Sequence, residues 1–405
     1  MLKMEPVKML ARISKKLLES AEALSSPIGK RKSMTSVLVI SFSADIHLHS
    51  VLWAGKILGA RIEGICSDFF PINHRMSIRI PDEKSKQLAQ WTGTKKSRLS
   101  WTDFDTVWNR RAPLFRFPAE LYVGDQEFAE MECQSGFGGN IELRSSKQFY
   151  VNDPAEAMRA RNKIRQLEMA RQVGLKIPDT LITNSAEELS DFFDAHQGNI
   201  IYKRFTNKHS WFSPSKGLQW DRRTVPIKKE QLQESDSLAC TPGIFQPNID
   251  KKHEIRAVIT GHSIMSFNIY SQEHPNARQD WRVAQDELRI ERVDLSAHLK
   301  SKCLKLMNNL GLVFGVLDLI VTTDNEVVFL EVNEQGQFLG YENDELPFLQ
   351  MITEFLLSGD PCFRFGAASS PLSYKKFEQS AEYKLFCSAL AKYKSTGTMT
   401  SRIME

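Results

Sequence analysis

The stretch VLDLIVTTDNEVVFLEVNEQGQF, residues 316–338, constrains the fold more than any other part of the sequence. Two apolar, strand-like runs flank an Asp-Asn pair at 324–325 that suits a two-residue hairpin loop with positive φ angles. In that register Asp318 lies directly opposite Glu331, and Asn333 shares their face because side chains alternate along a strand. The sequence therefore predicts a β-hairpin with three oxygen-bearing side chains on one patch.

Two carboxylates placed face to face across a hairpin repel each other. A bound cation removes that repulsion, and a small set of oxygen ligands suits Mg²⁺ or Mn²⁺, which also take oxygens from nucleotide phosphates. The alternative is a solvated sheet face, which explains the two acids taken alone. It does not explain why they lie among Val, Leu, Ile and Phe, so a metal site is the favoured interpretation.

Composition is typical of a globular protein with two or three domains: 405 residues, 41% hydrophobic and 25% charged. The six cysteines are widely scattered without a CxxC pair, which indicates reduced thiols in a cytoplasmic protein. The apolar run LGLVFGVLDLIV is shorter than the roughly 18 residues that a bilayer span needs. We expect no transmembrane helix.

The excess positive charge lies in the leading segment. The net charge is +4, and residues 1–36 hold eight Lys/Arg against three Glu, so the remainder is close to neutral. The run MLARISKKLLESAEAL has helical spacing and a basic face, and SSPIGKRKS after it is typical of a linker. A transit peptide, a membrane-surface helix and a dispensable extension are the alternatives. A near-neutral remainder does not favour nucleic-acid binding.

A small α/β domain is predicted to begin near Ser36. Residues 36–69 show the strand, helix, strand order of a βα unit. The later run FDTVWNRRAP predicts a strand followed by two adjacent arginines, Arg110 and Arg111. Two interpretations are open for this pair: it grips an acidic ligand, or it anchors a contact between domains.

A second unit is predicted to begin near residue 151. Asp153 suits an N-cap, Pro154 the first helical position and Gly174 the stop, so the pattern predicts a helix over about 154–173. Lys163 lies within that helix and Lys203 lies on a later β-branched strand. Each lysine taken alone is typical of an exposed surface residue.

In combination these motifs resemble those of the ATP-grasp ligases, from about residue 36 to 357. The segments VWNRRAP, NKIRQLEMARQVGLKIPDTLIT, HEIRAVITG, DWR and FLEVNEQGQF are similar to the peptide cyclases that mature microviridin-type (graspetide) ribosomal peptides. The resemblance implies an ATP-grasp fold of the α/β (α+β) class with an amino-terminal pre-ATP-grasp α/β domain. It places nucleotide between the last two ATP-grasp subdomains.

The implied division has five parts. They are a basic extension and linker (1–35), the pre-ATP-grasp domain (36–150), a central subdomain (151–245), a carboxyl-terminal subdomain with the Mg site (246–357), and a tail of unknown role (358–405).

The resemblance also implies the nucleotide site. The family's phosphate-binding lysines fall on Lys163 and Lys203, which suits lysine as a point charge beside a triphosphate. The hinge whose backbone meets adenine falls on Gln246, Pro247 and Asn248. Glu254 falls where the family binds the ribose hydroxyls.

By the same comparison, Arg256 and Arg282 lie near the γ-phosphate or the acyl phosphate. Asp318, Glu331 and Asn333 hold magnesium. The implied cofactors are therefore ATP and Mg²⁺, with Mn²⁺ as the alternative metal.

Two positions limit the comparison. Pro247 cannot donate a backbone hydrogen bond, which restricts its contact with adenine. Ala284 lies two residues after Arg282, where the related general peptide ligases often have Asn, so a direct nucleotide contact by this loop is not supported.

The implied activity is an ATP-dependent ligase in which a carboxylate attacks the γ-phosphate and an amine or hydroxyl then displaces phosphate. Positioning and charge neutralisation suffice for such chemistry, so we assign no nucleophilic Ser or Cys. The first interpretation is a cyclase acting on a precursor peptide. The alternatives are a ligase of free amino acids or short peptides and an inactive ATP-grasp-like binding module. The oligomeric state, including a homodimer, is left open.

Overall fold

The structure is a computed structural model. It describes residues 35–82, 88–92, 98–111, 115–118, 120–143, 147–205, 211–213, 218–220, 224–233, 238–366 and 370–395. The expectations for the basic amino-terminal segment, residues 1–34, lie outside the described residues.

The first part of the chain forms a parallel sheet with helices and a small antiparallel sheet, and antiparallel strands dominate the second part. The strands are β1 Val37–Ser41, β2 Ile62–Cys66, β3 Arg75–Arg79, β4 Leu88–Thr92, β5 Arg98–Leu99, β6 Thr106–Asn109, β7 Phe149–Val151, β8 Leu181–Thr183, β9 Ile200–Lys203, β10 Trp211–Ser213, β11 Leu218–Trp220, β12 Val225–Pro226, β13 Gly243–Pro247, β14 Lys251–Thr260, β15 Ser263–Ile269, β16 Ile290–Val293, β17 Phe314–Thr322 and β18 Val327–Asn333. The helices are α1 Ile46–Leu58, α2 Val123–Glu142, α3 Pro154–Ala160, α4 Lys163–Gln172, α5 Ala186–Ala195, α6 Ala297–Asn309, α7 Phe348–Ser358, α8 Tyr374–Glu378 and α9 Ala381–Ser395.

The amino-terminal sheet has the order β2-β1-β6-β7, and its pairings are parallel. Helix α1 connects β1 to β2, as the sequence predicts. Asp45 caps this helix by accepting from the backbone N–H of His47, and Gly59 ends it at φ 64°. Because β1 and β6 are parallel neighbours, their carboxyl ends meet at one edge of the sheet. This edge faces the site described below.

The helix predicted over 154–173 is two helices, α3 and α4. Asp153 caps α3 with Pro154 at its start, as predicted, and Gly174 follows α4 with φ 77°. The expectation of one continuous helix is wrong because Asn162 caps α4 through a side-chain bond to the N–H of Arg165. Since polar side chains of this kind compete with helical backbone bonding, the break makes Lys163 the first residue of α4.

The middle of the chain forms a two-stranded sheet, β10-β11, and a four-stranded sheet. The order β12-β9-β13-β8 places Lys203 at the end of β9, beside Ile244 of β13. Because β13 spans residues 243–247, the predicted domain boundary at 245 runs through this strand. The five-part division stays a prediction.

The sheet that carries the predicted hairpin is five-stranded and antiparallel, in the order β16-β15-β14-β17-β18. Apolar side chains on one face, among them Leu317, Leu319 and Phe329, form a core with residues of α4 and α6. The opposite face packs Val258 and Val316 into a second core with α7. Polar side chains share that second face with the apolar core.

The hairpin turn has three residues rather than the predicted two. Thr322 donates to Glu326 across the turn, and Asn325 has a positive φ of 65°. Leu319 consequently pairs with Phe329, one residue away from its predicted partner. The register of the ladder changes between Leu319 and Asp318, so that Asp318 pairs with Glu331 as predicted. The prediction of the Asp318–Glu331 pair is confirmed, although the loop length is wrong.

A β-bulge causes the shift. Leu330 has no partner in the ladder, so the alternation of side chains changes phase between Phe329 and Glu331. Phe329 and Val332, three residues apart, therefore point to the same apolar core. The bulge turns Glu331 and Asn333 toward the polar face.

The segment after residue 358 joins the core. Phe377 of α8 is fully buried, and its ring lies 5.7 Å from that of Trp53 on α1. Lys56 and Glu382 form an ion pair between α1 and α9 at 2.5 Å. Helices α8 and α9 of the carboxyl-terminal segment, to which no role was assigned from the sequence, thus cover α1, the helix that connects β1 to β2. Among the described helices, none combines the length and apolarity that crossing a bilayer requires.

Candidate active site

The polar face of the five-stranded sheet brings together most of the residues singled out from the sequence. Alternation along β14 turns Glu254 and Arg256 to this face, and Arg256 is the direct ladder partner of Asp318. Glu331 and Asn333 on β18 complete the patch. Three adjacent strands thus supply one continuous row of charged side chains.

Asp318 is buried and fully engaged. Arg256 donates to one of its carboxylate oxygens at 2.6 Å, while Arg282 and the amide of Asn333 donate to the other at 3.3 and 3.2 Å. Hydrogen bonds to an ionised partner are among the stronger ones in proteins. These contacts fix the carboxylate on the polar face of the sheet.

Glu331 lies between two cations. Lys163 Nζ is 3.1 Å from one of its oxygens, and Arg282 is 3.6 Å from the other. Burial alone would raise the pKa of Glu331, but Lys163 and Arg282 hold it well below its usual value. The carboxylate is therefore ionised at neutral pH.

Gln166 explains how Lys163 reaches this position. Its side chain donates to the carbonyl of Val332 and accepts from the N–H of the same residue, both at 2.8 Å. Because Gln166 thereby fastens α4 to the edge of β18, Lys163 one turn earlier lies beside Glu331. Gln166 could not be predicted from the sequence, because a buried glutamine in a helix gives no pattern that would reveal it.

Lys203 approaches the same patch from β9. Burial lowers the pKa of Lys203 to about 8, with Glu331 acting to raise it and Lys163, Lys251 and Arg282 acting to lower it. Four cations, namely Lys163, Lys203, Arg256 and Arg282, thus surround the carboxylates of Asp318 and Glu331. Because this set carries more positive than negative charge, the site suits a polyanion.

Trp281 supports both arginines of the patch. The guanidinium carbons of Arg256 and Arg282 lie 5.3 and 5.0 Å from the centre of its ring. Burial alone would lower the pKa of Arg282, but Asp318 and Glu331 raise it above its usual value. Trp281 and Asp318 therefore hold both guanidinium groups in place.

Glu254 has one satisfied and one unsatisfied oxygen. Its Oε1 accepts from Ser271 at 2.9 Å and lies 2.8 Å from Lys251 Nζ, whereas the buried Oε2 has no partner. A buried acceptor without a donor is costly, which marks it as a place where a ligand donor binds. Lys251 was missed because a shift in the ladder between Lys251 and His253 brings it to Glu254.

In the predicted hinge, residues 246–248, part of the backbone hydrogen-bonding capacity is already used within the protein. Asn248 donates its N–H to the carbonyl of Asn199 at 2.9 Å, and Pro247 has no N–H. Gln246 donates its side-chain amide to Thr180 at 2.9 Å, while its Oε1 is buried without a partner. An adenine contact through this segment stays a prediction, and the free amide oxygen of Gln246 is its candidate acceptor.

Arg110 is fully buried and joins parts of the fold. It donates to the carbonyl of Gln335 and lies 3.6 Å from Asp45. Burial lowers the pKa of Arg110 to about 9 despite the nearby Asp45. These contacts support the anchoring interpretation for Arg110, whereas Arg111 is half-buried beside it.

The donor set fits a hard divalent cation. Within the described part of the chain, no group of three or more His, Cys, Asp or Glu side chains is disposed to bind a metal. The candidate site instead combines two carboxylates, Asp318 and Glu331, with Asn333, whose Nδ2 donates to them at 3.2 and 3.3 Å and whose Oδ1 is the atom that could bind a metal. Two carboxylates and an amide leave positions open for phosphate oxygens, as Mg²⁺ requires.

Comparison with solved structures places the fold. The macrocyclase MdnC of Microcystis aeruginosa, solved with its precursor peptide MdnA, superposes with a TM-score of 0.71 and 29% identity over 80% of this chain and 100% of its own. A RiPP-associated ATP-grasp ligase of Chryseobacterium gregarium, solved with ADP and a leader and core peptide, gives 0.72 and 26% over 81% and 98%. The macrocyclase MdnB of M. aeruginosa gives 0.65 and 27% over 80% and 99%. No family model and no curated protein matches the chain.

The fold and the charged patch define an ATP-grasp ligase. Within that class the chain is similar to ligases of the graspetide type, among them the macrocyclases MdnC and MdnB. The sequence-based prediction of class and fold is confirmed, while the roles of individual residues stay predictions.

Proposed function

We propose that this chain uses ATP to activate side-chain carboxylates of a ribosomal precursor peptide and joins them to Ser/Thr hydroxyls or Lys amines of the same peptide. The observation that carries the proposal is the directly opposed pair Asp318 and Glu331, surrounded by four cations on one face of the sheet. The likeness to macrocyclases solved with peptides supports a peptide as the substrate.

The residues present fit the nucleotide and its metal. Asp318, Glu331 and Asn333 would hold Mg²⁺, and Lys163 and Lys203 would contact the phosphates. When bound, magnesium neutralises phosphate charge and orients the triphosphate. The unpartnered Oε2 of Glu254 would accept from the ribose, and the hinge at 246–248 would meet adenine.

Catalysis in this site rests on position and charge. The peptide carboxylate attacks the γ-phosphorus of ATP, which gives an acyl phosphate and ADP, and the acceptor then displaces phosphate. Arg256 and Arg282 are fixed by Trp281 and Asp318, so they offer preorganised positive charge where negative charge develops. No protein nucleophile is required because ATP activates the carboxylate.

Recognition of the peptide must lie outside the charged patch. A site that binds phosphate and metal cannot select one carboxylate among many in a precursor. We infer that the peptide binds along the amino-terminal and central segments, and that each ring forms after the bound peptide delivers its core to the patch.

Mass spectrometry of a co-expressed precursor tests the proposal. The probe is the product of a short neighbouring reading frame that carries Thr/Ser and Asp/Glu repeats, incubated with the enzyme, ATP and Mg²⁺. Each bond should remove one water, about 18 Da, and release one ADP and one phosphate. An unchanged peptide mass together with ATP-dependent coupling of free amino acids would contradict cyclisation and favour a general ligase. An unchanged mass, with no ADP released from ATP in the presence of any carboxylate tested, would favour a binding module.

A further inference from the structure

The loop after β18, residues 334–339, is fastened to the amino-terminal sheet. Asn152 donates to the carbonyl of Glu334 at 3.1 Å, and Arg110 donates to that of Gln335. Gln335 in turn donates its side-chain amide to the carbonyl of Asn109 at 3.1 Å. The loop that follows the proposed magnesium ligands is therefore positioned by a different sheet.

His47 makes the contact with the far end of this loop. Its Nε2 accepts from the backbone N–H groups of Phe338 and Leu339 at 3.3 and 3.5 Å. Because both partners are donors, Nε2 must be the unprotonated nitrogen of a neutral ring. The ring also contacts the edge of Phe338, with centroids 4.7 Å apart.

Asp45 orients the imidazole. Its Oδ1 lies 3.3 Å from His47 Nδ1, and its Oδ2 accepts from Ser41 at 2.6 Å and lies 3.6 Å from Arg110. A carboxylate beside Nδ1 favours the tautomer with the proton there, which leaves Nε2 free to accept. Burial and Arg110 lower the pKa of His47 to about 4, which agrees with a neutral ring.

One peptide group links His47 to the charged patch. The N–H of Phe338 and the carbonyl of Gln337 belong to the same planar unit. His47 holds the N–H, while Arg256 donates to the carbonyl at 3.0 Å and to Asp318 at 2.6 Å. The orientation of that peptide plane therefore determines where the guanidinium of Arg256 lies.

We propose that Asp45 and His47 are positioning residues for phosphoryl transfer: they fix the 337–338 peptide so that its carbonyl holds Arg256 against Asp318. This inference rests on the proposed function for its kinetic consequence but not for its structural one. Asp45 caps helix α1 and His47 lies in its first turn, so the pair stands apart from the proposed nucleotide and metal ligands. The pair holds Arg256 in position only when the amino-terminal sheet, with α1, is packed against the 334–339 loop.

His49 supplies a matched control. It is buried on the same helix and bonds the carbonyl of Ser43 at 2.8 Å, but its ring faces Phe386 rather than the loop. The variants His47→Leu and His49→Leu thus remove the same polar groups from equally buried positions. His47→Gln keeps an acceptor two bonds beyond Cγ, where Nε2 lies in histidine.

Hydrogen exchange of residues 334–339 gives a readout that does not depend on turnover. In His47→Leu the amides of this loop should exchange at least about tenfold faster, whereas His49→Leu should leave them unchanged. With Mg²⁺, ATP and the precursor peptide as carboxylate donor, kcat for ADP formation should fall by about 10- to 100-fold in His47→Leu, with a change in KM of less than about threefold. His47→Gln should restore most of both properties.

Equal exchange and equal kcat in the two leucine variants, at matched melting temperatures, would overturn the proposal. Loss of protection in His47→Leu without loss of kcat would also overturn it, since the loop would then move without consequence for Arg256. Failure of the precursor test leaves the exchange comparison intact, so the two failures are distinguishable.

Discussion

Arg256 and Asp318 are direct partners in the β14–β17 ladder and share a 2.6 Å hydrogen bond. The next strand places Glu331 opposite Asp318, so two acids and a base lie in one row across three strands. Like charges opposed across a ladder destabilise it, and the surrounding cations offset this cost. A metal at the two carboxylates would compete with Arg256 and Arg282 for the same oxygens, which couples metal binding to the placement of the arginines.

Glu331→Gln should lower turnover far more than stability. The change keeps the volume of the side chain but removes one charge from the proposed metal ligands and the partner of Lys163. We expect kcat for ADP formation to fall by at least about 100-fold, or about 2.7 kcal/mol in the barrier. The measurement is steady-state ADP release at saturating Mg²⁺, with melting temperature as the check on folding.

Glu326→Gln is the control for that experiment. Glu326 lies at the turn of the same hairpin, with its side chain 53% exposed in an ion pair with Lys176. Exposed ion pairs contribute little, so this variant should behave as the wild type. Near-native turnover in both Glu331→Gln and Asn333→Ala would contradict the assignment of the magnesium site to these residues.

Lys203 should make ATP affinity depend on pH. Its pKa of about 8 means that the side chain is largely protonated at pH 7 and loses its charge as the pH rises through 8. Loss of a charge-assisted contact weakens binding, so ATP affinity should fall between about pH 7.5 and 9.5. Lys203→Ala should lose about 1.5 to 3 kcal/mol of binding at pH 7. Calorimetric titration with a non-hydrolysable ATP analogue measures both.

Stability should respond in the opposite direction. The unfolded chain has a lysine pKa of about 10.4, so between pH 8 and that value the unfolded state binds more protons than the folded state. The contribution of Lys203 to the free energy of unfolding therefore rises with pH in this window.

Lys203→Arg keeps its charge and should lose the pH dependence of ATP affinity. A wild-type affinity that stays constant to pH 9.5 would contradict the assignment.

Glu254→Gln should remove discrimination for the ribose hydroxyls. Lys251 and Ser271 both donate to Oε1, so the glutamine oxygen should take that place and leave its NH₂ where the unpartnered Oε2 lies. An NH₂ group cannot accept a hydrogen bond from a hydroxyl. ATP affinity should fall by about 10- to 150-fold, which corresponds to one hydrogen bond to a charged group.

A ligand cycle isolates this contact. Wild-type protein should bind 2′,3′-dideoxy-ATP more weakly than ATP, and Glu254→Gln should bind the two nucleotides with nearly equal affinity. If the variant and the wild type discriminate between them to the same extent, Glu254 does not contact the ribose.

The sequence predicts the pairing of Asp318 with Glu331 because alternation and a polar turn between apolar runs constrain a hairpin strongly. It cannot predict the turn length or the bulge at Leu330. The longer turn shifts the pairing by one residue, and the bulge shifts it back by one residue beyond Phe329. A bulge leaves no mark in an apolar run. Tertiary contacts alone show that Phe329 and Val332 face the same core.

Other features depend on contacts between distant segments. The break before Lys163 arises because the Asn162 side chain bonds the N–H of Arg165, and a helical pattern of apolar residues continues through it. His47 and Gln166 act on backbone groups about 291 and 166 residues away in sequence. Local propensity and periodicity hold no information about partners at that distance.

Phe377→Ala should destabilise the amino-terminal sheet although the residue lies beyond the segment that resembles the cyclases. Phe377 is fully buried between Trp53 of α1 and Tyr383 of α9, with ring centroids 5.7 and 5.4 Å away. Truncation of a buried Phe leaves a cavity and costs about 3 to 5 kcal/mol. Leu385→Ala on α9, where the side chain is 38% exposed, should cost much less. Urea unfolding measures both, and equal midpoints for the two variants would mean that the carboxyl-terminal helices do not stabilise α1.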